Sequence, residues 1–186
     1  VLFGRTTIDK NIRLLLQHPK DLADFLIKAA SDGYLQIVKA LISFCEEINP
    51  RVFSVAVRSA AKDGHTTILR ELLNHQALSD IGRGVAVILA ADFGKLEALQ
   101  LLIADPDKKI SEKDRWHAIF LAASHNFKDV VNALLAKGPL LEEDREAVLI
   151  KFTYQSSDTR QRVAKFAADN QLEVLTRLLI DSNRRR

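Results

Sequence analysis

The residues of this 186-residue chain that could do chemistry are five histidines, one cysteine, a glycine-flanked arginine and an acidic triplet. The histidines are His18, His65, His75, His117 and His125, and none stands in a His-Glu-x-x-His or Cys/His zinc spacing. His117 and His125 are eight residues apart and could share one side of a helix. Two imidazoles without a third carboxylate or thiolate make a poor metal site. Cys45 lacks the His and Asn signature of a catalytic thiol and, being alone, forms no intrachain disulfide. It reads as a small buried apolar residue, which fits a reducing compartment. Gly82-Arg83-Gly84 reads as a short loop without the Lys-Ser/Thr that completes a phosphate-binding loop. Glu142-Glu143-Asp144 lacks calcium-loop spacing and suits the first turn of a helix instead. No nucleophile with its base and no ligand set assembles from these residues. The chain reads as a non-enzyme with no metal and no small-molecule cofactor.

A chain without reactive clusters works through its surface, and the sequence indicates how that surface is built. Five times a pair of alanines is followed, eleven residues after the second, by Leu and then Leu or Ile. The pairs are Ala29-Ala30, Ala60-Ala61, Ala90-Ala91, Ala122-Ala123 and Ala167-Ala168; their partners are Leu41-Ile42, Leu72-Leu73, Leu102-Ile103, Leu134-Leu135 and Leu179-Ile180. Successive pairs lie 31, 30, 32 and 45 residues apart. Self-similarity at such a period marks stacked repeats, which serve as extended binding surfaces. In the third unit, Val85, Val87, Leu89 and Ala90 form a dense apolar stretch, and Asp92-Phe93-Gly94 makes a turn. Leu96, Leu99, Leu102 and Ile103 then recur at three- and four-residue steps. The unit predicted is helix, tight turn, helix. Gly33, Gly64 and Gly94 stand three residues after the second alanine, where a positive φ ends a helix. Asn126 and Gln171 take that place in the last two units; Gln accepts it less well, so the fifth turn is expected to be the most distorted. Small residues let the two helices approach, and the leucine pairs fill the space between units.

This reading gives four repeats over residues 20–136 and a fifth over 157–181. Between them, residues 140–156 hold an extra helix, Glu142 to Phe152, and a polar loop, after which Asp158 is expected to cap the last pair. Thr7 to His18 reads as one helix with Ile8, Ile12, Leu15 and Leu16 on one side, ended by Pro19. Phe3-Gly4-Arg5-Thr6-Thr7-Ile8 resembles both Phe93-Gly94-Lys95 and Gly64-His65-Thr66-Thr67-Ile68. Residues 1–19 therefore read as a partial unit entered inside a repeat, and the chain as a piece of a larger protein.

Charge narrows the partners. The formal net charge is +3, and residues 177–186 account for all of it through Arg177, Arg184, Arg185 and Arg186 against Asp181. A nucleic-acid binder spreads a basic face over its fold, whereas residues 182–186 read as a basic tail. Nucleic acid is therefore a disfavoured partner, although a polyanion gripped by Arg184 to Arg186 stays open as a third reading. No apolar run approaches the ~18 residues of a membrane span.

The run Ala29-Ala30-Ser31-Asp32-Gly33-Tyr34-Leu35-Gln36-Ile37-Val38-Lys39-Ala40-Leu41-Ile42, repeated from Ala60 to Leu73, resembles the ankyrin repeat. The family's Thr-Pro-Leu-His opening is absent, as is its Gly-Ala-Asp-Val-Asn hairpin, replaced by Glu47-Ile48-Asn49-Pro50, Ser79-Asp80-Ile81-Gly82 and Pro106-Asp107-Lys108-Lys109. The fold implied is all-α: an ankyrin-like helical-repeat solenoid with degenerate or absent β-hairpins. The resemblance implies a protein-interaction module, monomeric, whose concave face is made by first helices and the residues after each Ala-Ala. On this chain those are Ser31-Asp32, Lys62-Asp63, Asp92-Phe93, Ser124-His125 and Asp169-Asn170. Phe93 and Trp116, placed before the next first helix, are the candidate aromatic anchors, with Lys62, Asp92, His125 and Arg58 as polar contacts. Arg83, Lys108, Lys109, Lys113 and Arg115 could add a basic rim for an acidic partner segment. The resemblance extends to secreted effectors of intracellular bacteria, which would act in the host cell interior, and otherwise implies a cytoplasmic protein. A non-catalytic substrate-positioning or regulatory region of a larger enzyme is the alternative.

Overall fold

The computed structural model describes residues 19–43, 48–104 and 110–184. Cys45, the helix expected over Thr7–His18, the segment Pro106–Lys109 and the last two arginines lie outside the described residues. Five helix pairs follow one another: α1 (Pro19–Asp32) with α2 (Leu35–Ser43), α3 (Pro50–Asp63) with α4 (Thr66–His75), and α5 (Asp80–Asp92) with α6 (Leu96–Ile103). Then come α7 (Glu112–Ser124) with α8 (Lys128–Leu135), a 3-10 turn at Glu142–Asp144, α9 (Arg145–Thr153), and the pair α10 (Ser157–Asp169) and α11 (Glu173–Arg184). Among the described residues there is no strand. The structure is an all-α repeat stack.

Each pair is closed by the same turn. The carbonyl of the first alanine accepts the N–H five residues on: Tyr34 to Ala29 at 2.9 Å, His65 to Ala60 at 2.9 Å, Lys95 to Ala90 at 2.7 Å, Phe127 to Ala122 at 2.9 Å and Leu172 to Ala167 at 2.8 Å. The residue just before each of these donors turns the chain through the left-handed region, with φ of 83°, 83°, 66°, 63° and 55° at Gly33, Gly64, Gly94, Asn126 and Gln171. This is the hydrogen-bond pattern that satisfies the open carbonyls at a helix end. Gln171 takes the same conformation as the glycines, so the fifth turn keeps its form and the distortion expected there is not found.

The first helices α1, α3, α5, α7 and α10 pack one against the next, and the second helices α2, α4, α6 and α8 form a second layer. Both alanines of the first four pairs are buried at the crossing. Leu41, Leu72, Leu102 and Leu134 occupy equivalent buried places in the second layer. The inserted α9 breaks the register: it packs against α7 and α11. Its Phe152 ring lies 4.4 Å from that of Phe120 at an angle of 49°.

What stands in for the missing opening is a cap. Asn49, Ser79, Ser111 and Ser156 each precede the first alanine of their pair by eleven residues. Their side chains accept from the N–H groups of Arg51, Gly82, Asp114 and Thr159, respectively. Each such cap contributes about 1 kcal/mol. Ser156, not Asp158, caps α10; Asp158 sits in its first turn. Pro19, expected to end a helix, is the first residue of α1. The extra helix is the 3-10 turn plus α9, and α11 continues through Ser182, which is fully buried, to Arg184, so residues 182–184 are helix rather than tail.

The triplet Gly82-Arg83-Gly84 is not a loop but part of the first turns of α5. A Cβ on Gly84 would stand 2.6 Å from the Asp114 carboxylate of the next unit, and one on Gly82 would stand 3.0 Å from Ser54 of the preceding unit. The glycines let three first helices pass close together. Arg83 and Arg115, both seven residues before the first alanine of their unit, are buried and not part of a basic rim. Arg83 Nη1 donates to the Leu102 carbonyl at 2.7 Å; Arg115 Nη1 donates to Leu134 at 3.1 Å and Gly138 at 2.7 Å, and its Nη2 donates to Pro139 at 3.0 Å. Each guanidinium thus closes the C-terminal end of its own second helix, where carbonyls point outward and a positive charge is favoured. Glu112 pairs with Arg115 through both carboxylate oxygens and also accepts from Trp116 Nε1 at 3.2 Å.

Two outcomes follow for the stability of the stack. Leu102→Ala is expected to lower the unfolding free energy by about 2–5 kcal/mol. Arg115→Met, which strips three carbonyls and Glu112 of their donor, is expected to cost about 3 kcal/mol, while Arg177→Met on the exposed side of α11 stays within about 0.5 kcal/mol. Urea unfolding followed by circular dichroism measures both; equal midpoints for the two arginine variants would contradict the brace.

Candidate functional site

Because the first helices lie side by side, the residues that follow each Ala-Ala line up in a row across the units. The row is stitched by side chains. Ser31 Oγ donates to Asp63 Oδ2 at 2.8 Å. The Lys62 ammonium stands 4.9 Å from the centre of the Phe93 ring. Asp92 Oδ1 lies 3.3 Å from His125 Nε2. In each case the first residue after one alanine pair meets the second residue after the next pair. A cation over an aromatic face and a carboxylate beside an imidazole are each modest attractions at an exposed site, of roughly 0.5–1 kcal/mol. Their effect here is positional: they hold a mixed polar and aromatic strip in a fixed order.

Below that strip a second row packs on the turns. A Cβ on Gly33 would meet the His65 imidazole at 2.7 Å, one on Gly64 the Lys95 stem at 2.9 Å, and one on Gly94 the Phe127 ring at 2.9 Å. The residue after each left-handed turn position (His65 after Gly64, Lys95 after Gly94, Phe127 after Asn126) therefore lies against the turn glycine of the unit before. His65 Nε2 also lies 2.9 Å from the Ser31 carbonyl, so its hydrogen bond ties two units rather than serving locally. Phe127 stacks with His125, ring centres 5.8 Å apart and 28° from parallel. Phe93, Phe127, His125, Asp92 and Lys62 thus form one cluster over the second, third and fourth units.

The six residues singled out in the sequence divide. Phe93 is 45% exposed with the Lys62 ammonium over its ring, and the preceding residue, Asp92, meets His125. Trp116 is not an exposed anchor: it lies within α7, 1% exposed, its ring in the core and its N–H on Glu112. A tryptophan this large finds more contact area inside than at a rim, and Glu112 satisfies its one polar atom. Arg58 is half-buried and donates from Nε to the Ser54 carbonyl of its own helix at 3.1 Å. Ser124 is buried and bonds the Leu121 carbonyl, and Asn170 bonds the Phe166 carbonyl, so that neither continues the row. At that junction, where α9 displaces the fifth pair, a groove of about 300 Å³ opens, lined in part by Ser124, Asn126, Arg162 and Lys165. Phe127, Lys95 and His65 were not picked out as contact residues. The signal for them is their place one residue after the left-handed turn residues Asn126, Gly94 and Gly64.

Among the described residues no three His, Cys, Asp or Glu side chains cluster so as to hold a metal ion, and no helix is long and apolar enough to cross a membrane. The family model of ankyrin repeats matches residues 26–110 as three copies. The chain is also 32% identical over 111 residues to the ankyrin repeat and KH domain-containing protein mask-1 of Caenorhabditis elegans. That alignment covers 59% of this chain and 4% of the relative. Matching sequence, repeated helix pairs and glycine-turned junctions agree: residues 26–110 of this chain are ankyrin repeats.

Proposed function

We propose that this chain is a docking module that grips a partner protein on the row running across its first helices, with Phe93 as the central contact. Ankyrin repeats in general bind proteins. The observation that carries the reading here is the half-exposed Phe93 ring beneath the Lys62 ammonium, next in sequence to Asp92 of the Asp92–His125 pair, at the middle of the stack. An aromatic fixed in place by its neighbours loses little freedom on binding, which makes it an efficient anchor. Lys62, Asp92 and His125 present a cation, a carboxylate and an imidazole around it, so the partner segment that fits offers an apolar side chain flanked by polar groups of both signs. Trp116 and Arg58 take no part in this surface. The match to 4% of a long relative fits a module within a larger protein.

Phe93→Ala is expected to weaken capture of the partner from a lysate of the source cells by at least about 30-fold, the scale of an interface hot spot, with the fold unchanged by circular dichroism. Tyr154→Ala, which removes an exposed aromatic from the end of α9, is the control and leaves capture intact. Capture that survives Phe93→Ala contradicts the assignment.

A further inference from the structure

The side of α5 opposite its buried face carries an apolar stripe that the row at the helix ends does not use. Ile81, Val85, Ile88 and Leu89 recur at helical steps and share one side of the helix, with Asp92 at its end. Ile81 is 82% exposed, and the other three apolar residues are partly exposed. The stripe is particular to this unit. At the same places α10 has Asp158, Arg162, Lys165 and Asp169, all exposed, around a buried Phe166. Gly82 and Gly84 bring α3 and α7 against α5, so what those helices carry borders the stripe directly. On α3 these are Arg51, Arg58 and Lys62, which share one side of that helix, and on α7 Lys113. Arg58 stands outside the row at the helix ends but on this edge. Among the described residues none of these four cations is in an ion pair. Of the carboxylates on the three helices, Asp63 accepts from Ser31, Asp92 meets His125, Asp114 accepts from Ser111 and Glu112 pairs with Arg115, which leaves Asp80 alone on the acidic side. An exposed apolar stripe edged by unpaired cations suits a partner of opposite charge.

We propose that this stripe receives an acidic amphipathic helix of the partner protein, laid along α5 rather than across the units. Its apolar side covers Ile81, Val85 and Leu89, and its carboxylates face Arg51, Arg58 and Lys62. The inference rests on the reading of the chain as a docking module and adds the chemistry and the direction of the partner segment. From Ile81 to Phe93 the surface runs about 18 Å, the length of three helical turns. A helix satisfies its own backbone groups, whereas an extended segment would lay unpaired N–H and C=O groups on side chains that cannot bond them. Apolar residues one turn apart on the partner match the steps of α5, as in the packing of an amphipathic helix on an apolar face. A nucleic acid would satisfy the cations but put phosphates on the stripe. A second copy of this chain would bring the same cations to the same edges.

The test uses the full chain and a synthetic helical peptide of about three turns, with leucines along one side and glutamates beside them. One control peptide has lysine for each glutamate, and another has serine for each leucine. By fluorescence anisotropy the leucine–glutamate peptide is expected to bind at least about tenfold tighter than either control. Ile81→Ser with Val85→Ser weakens it by about tenfold, while Ile81→Ser alone, at a site that packs on little, leaves the urea midpoint unchanged. Arg58→Glu with Lys62→Glu reverses the preference in favour of the lysine peptide. Equal binding of the three peptides, or an affinity indifferent to Ile81→Ser with Val85→Ser, overturns the proposal. So does a dimer in sedimentation that Ile81→Ser dissolves, the result expected if a second copy covered the stripe. With the partner captured from the source cells, loss on Phe93→Ala but not on Ile81→Ser with Val85→Ser overturns the helix along α5 and leaves the row standing. The opposite result removes Phe93 as the central contact and retains the stripe.

Discussion

One hydrogen bond sets the geometry on which the stack depends: the carbonyl of the first alanine in each pair accepting the N–H five residues on. The bond closes only if the intervening residue adopts a left-handed conformation, and only if the helix behind it is lined with side chains small enough to let the next helix fold back. The alanine pairs satisfy the second condition and Gly33, Gly64, Gly94, Asn126 and Gln171 the first. With every turn alike, the helices of successive units meet at equivalent places. Over the first four units the side chain after each turn then falls on the glycine of the unit before, and the residues after each alanine pair fall into a row. The candidate binding strip is a consequence of that repetition and not a separately built site.

The positions of the glycines follow the same logic. Where a neighbour packs on the turn, as His65, Lys95 and Phe127 do, the turn residue has no Cβ. At Asn126, where the following unit is pushed out of register by α9, the turn borders an open groove and a side chain is present. A left-handed φ alone permits Asn; a left-handed φ under a packed ring or methylene stem admits only Gly.

Much of this was readable from residue order alone. The alanine–leucine spacing gave the number of units, the crossing and the buried leucines, because those positions answer to local geometry that repeats five times. Three things were not readable. Trp116 lies inside α7 and not before it, because the helix starts at the Ser111 cap, eleven residues before Ala122 like Ser79 before Ala90. Arg83 and Arg115 look like rim charges in the sequence, since arginine is usually exposed, and only the tertiary approach of the second helix end supplies the carbonyls that bury them. The row contacts join residues about thirty positions apart, and nothing in either local segment specifies Lys62 over Phe93 or Asp92 beside His125. The resemblance identified the right strip; the packing decided which of its residues face outward.

The central claim is that a left-handed turn under a packed neighbour locks each unit to the next. Comparing the unfolding free energies of Gly94→Ala and Asn126→Gly in otherwise unchanged chains tests it most directly. A Cβ at residue 94 meets both an unfavourable φ and the Phe127 ring, so the account predicts a loss of more than about 1 kcal/mol for Gly94→Ala. Asn126→Gly relieves the same φ where the turn borders the groove, and its change is expected to stay within about 0.5 kcal/mol. A Gly94→Ala chain as stable as the original would contradict the account.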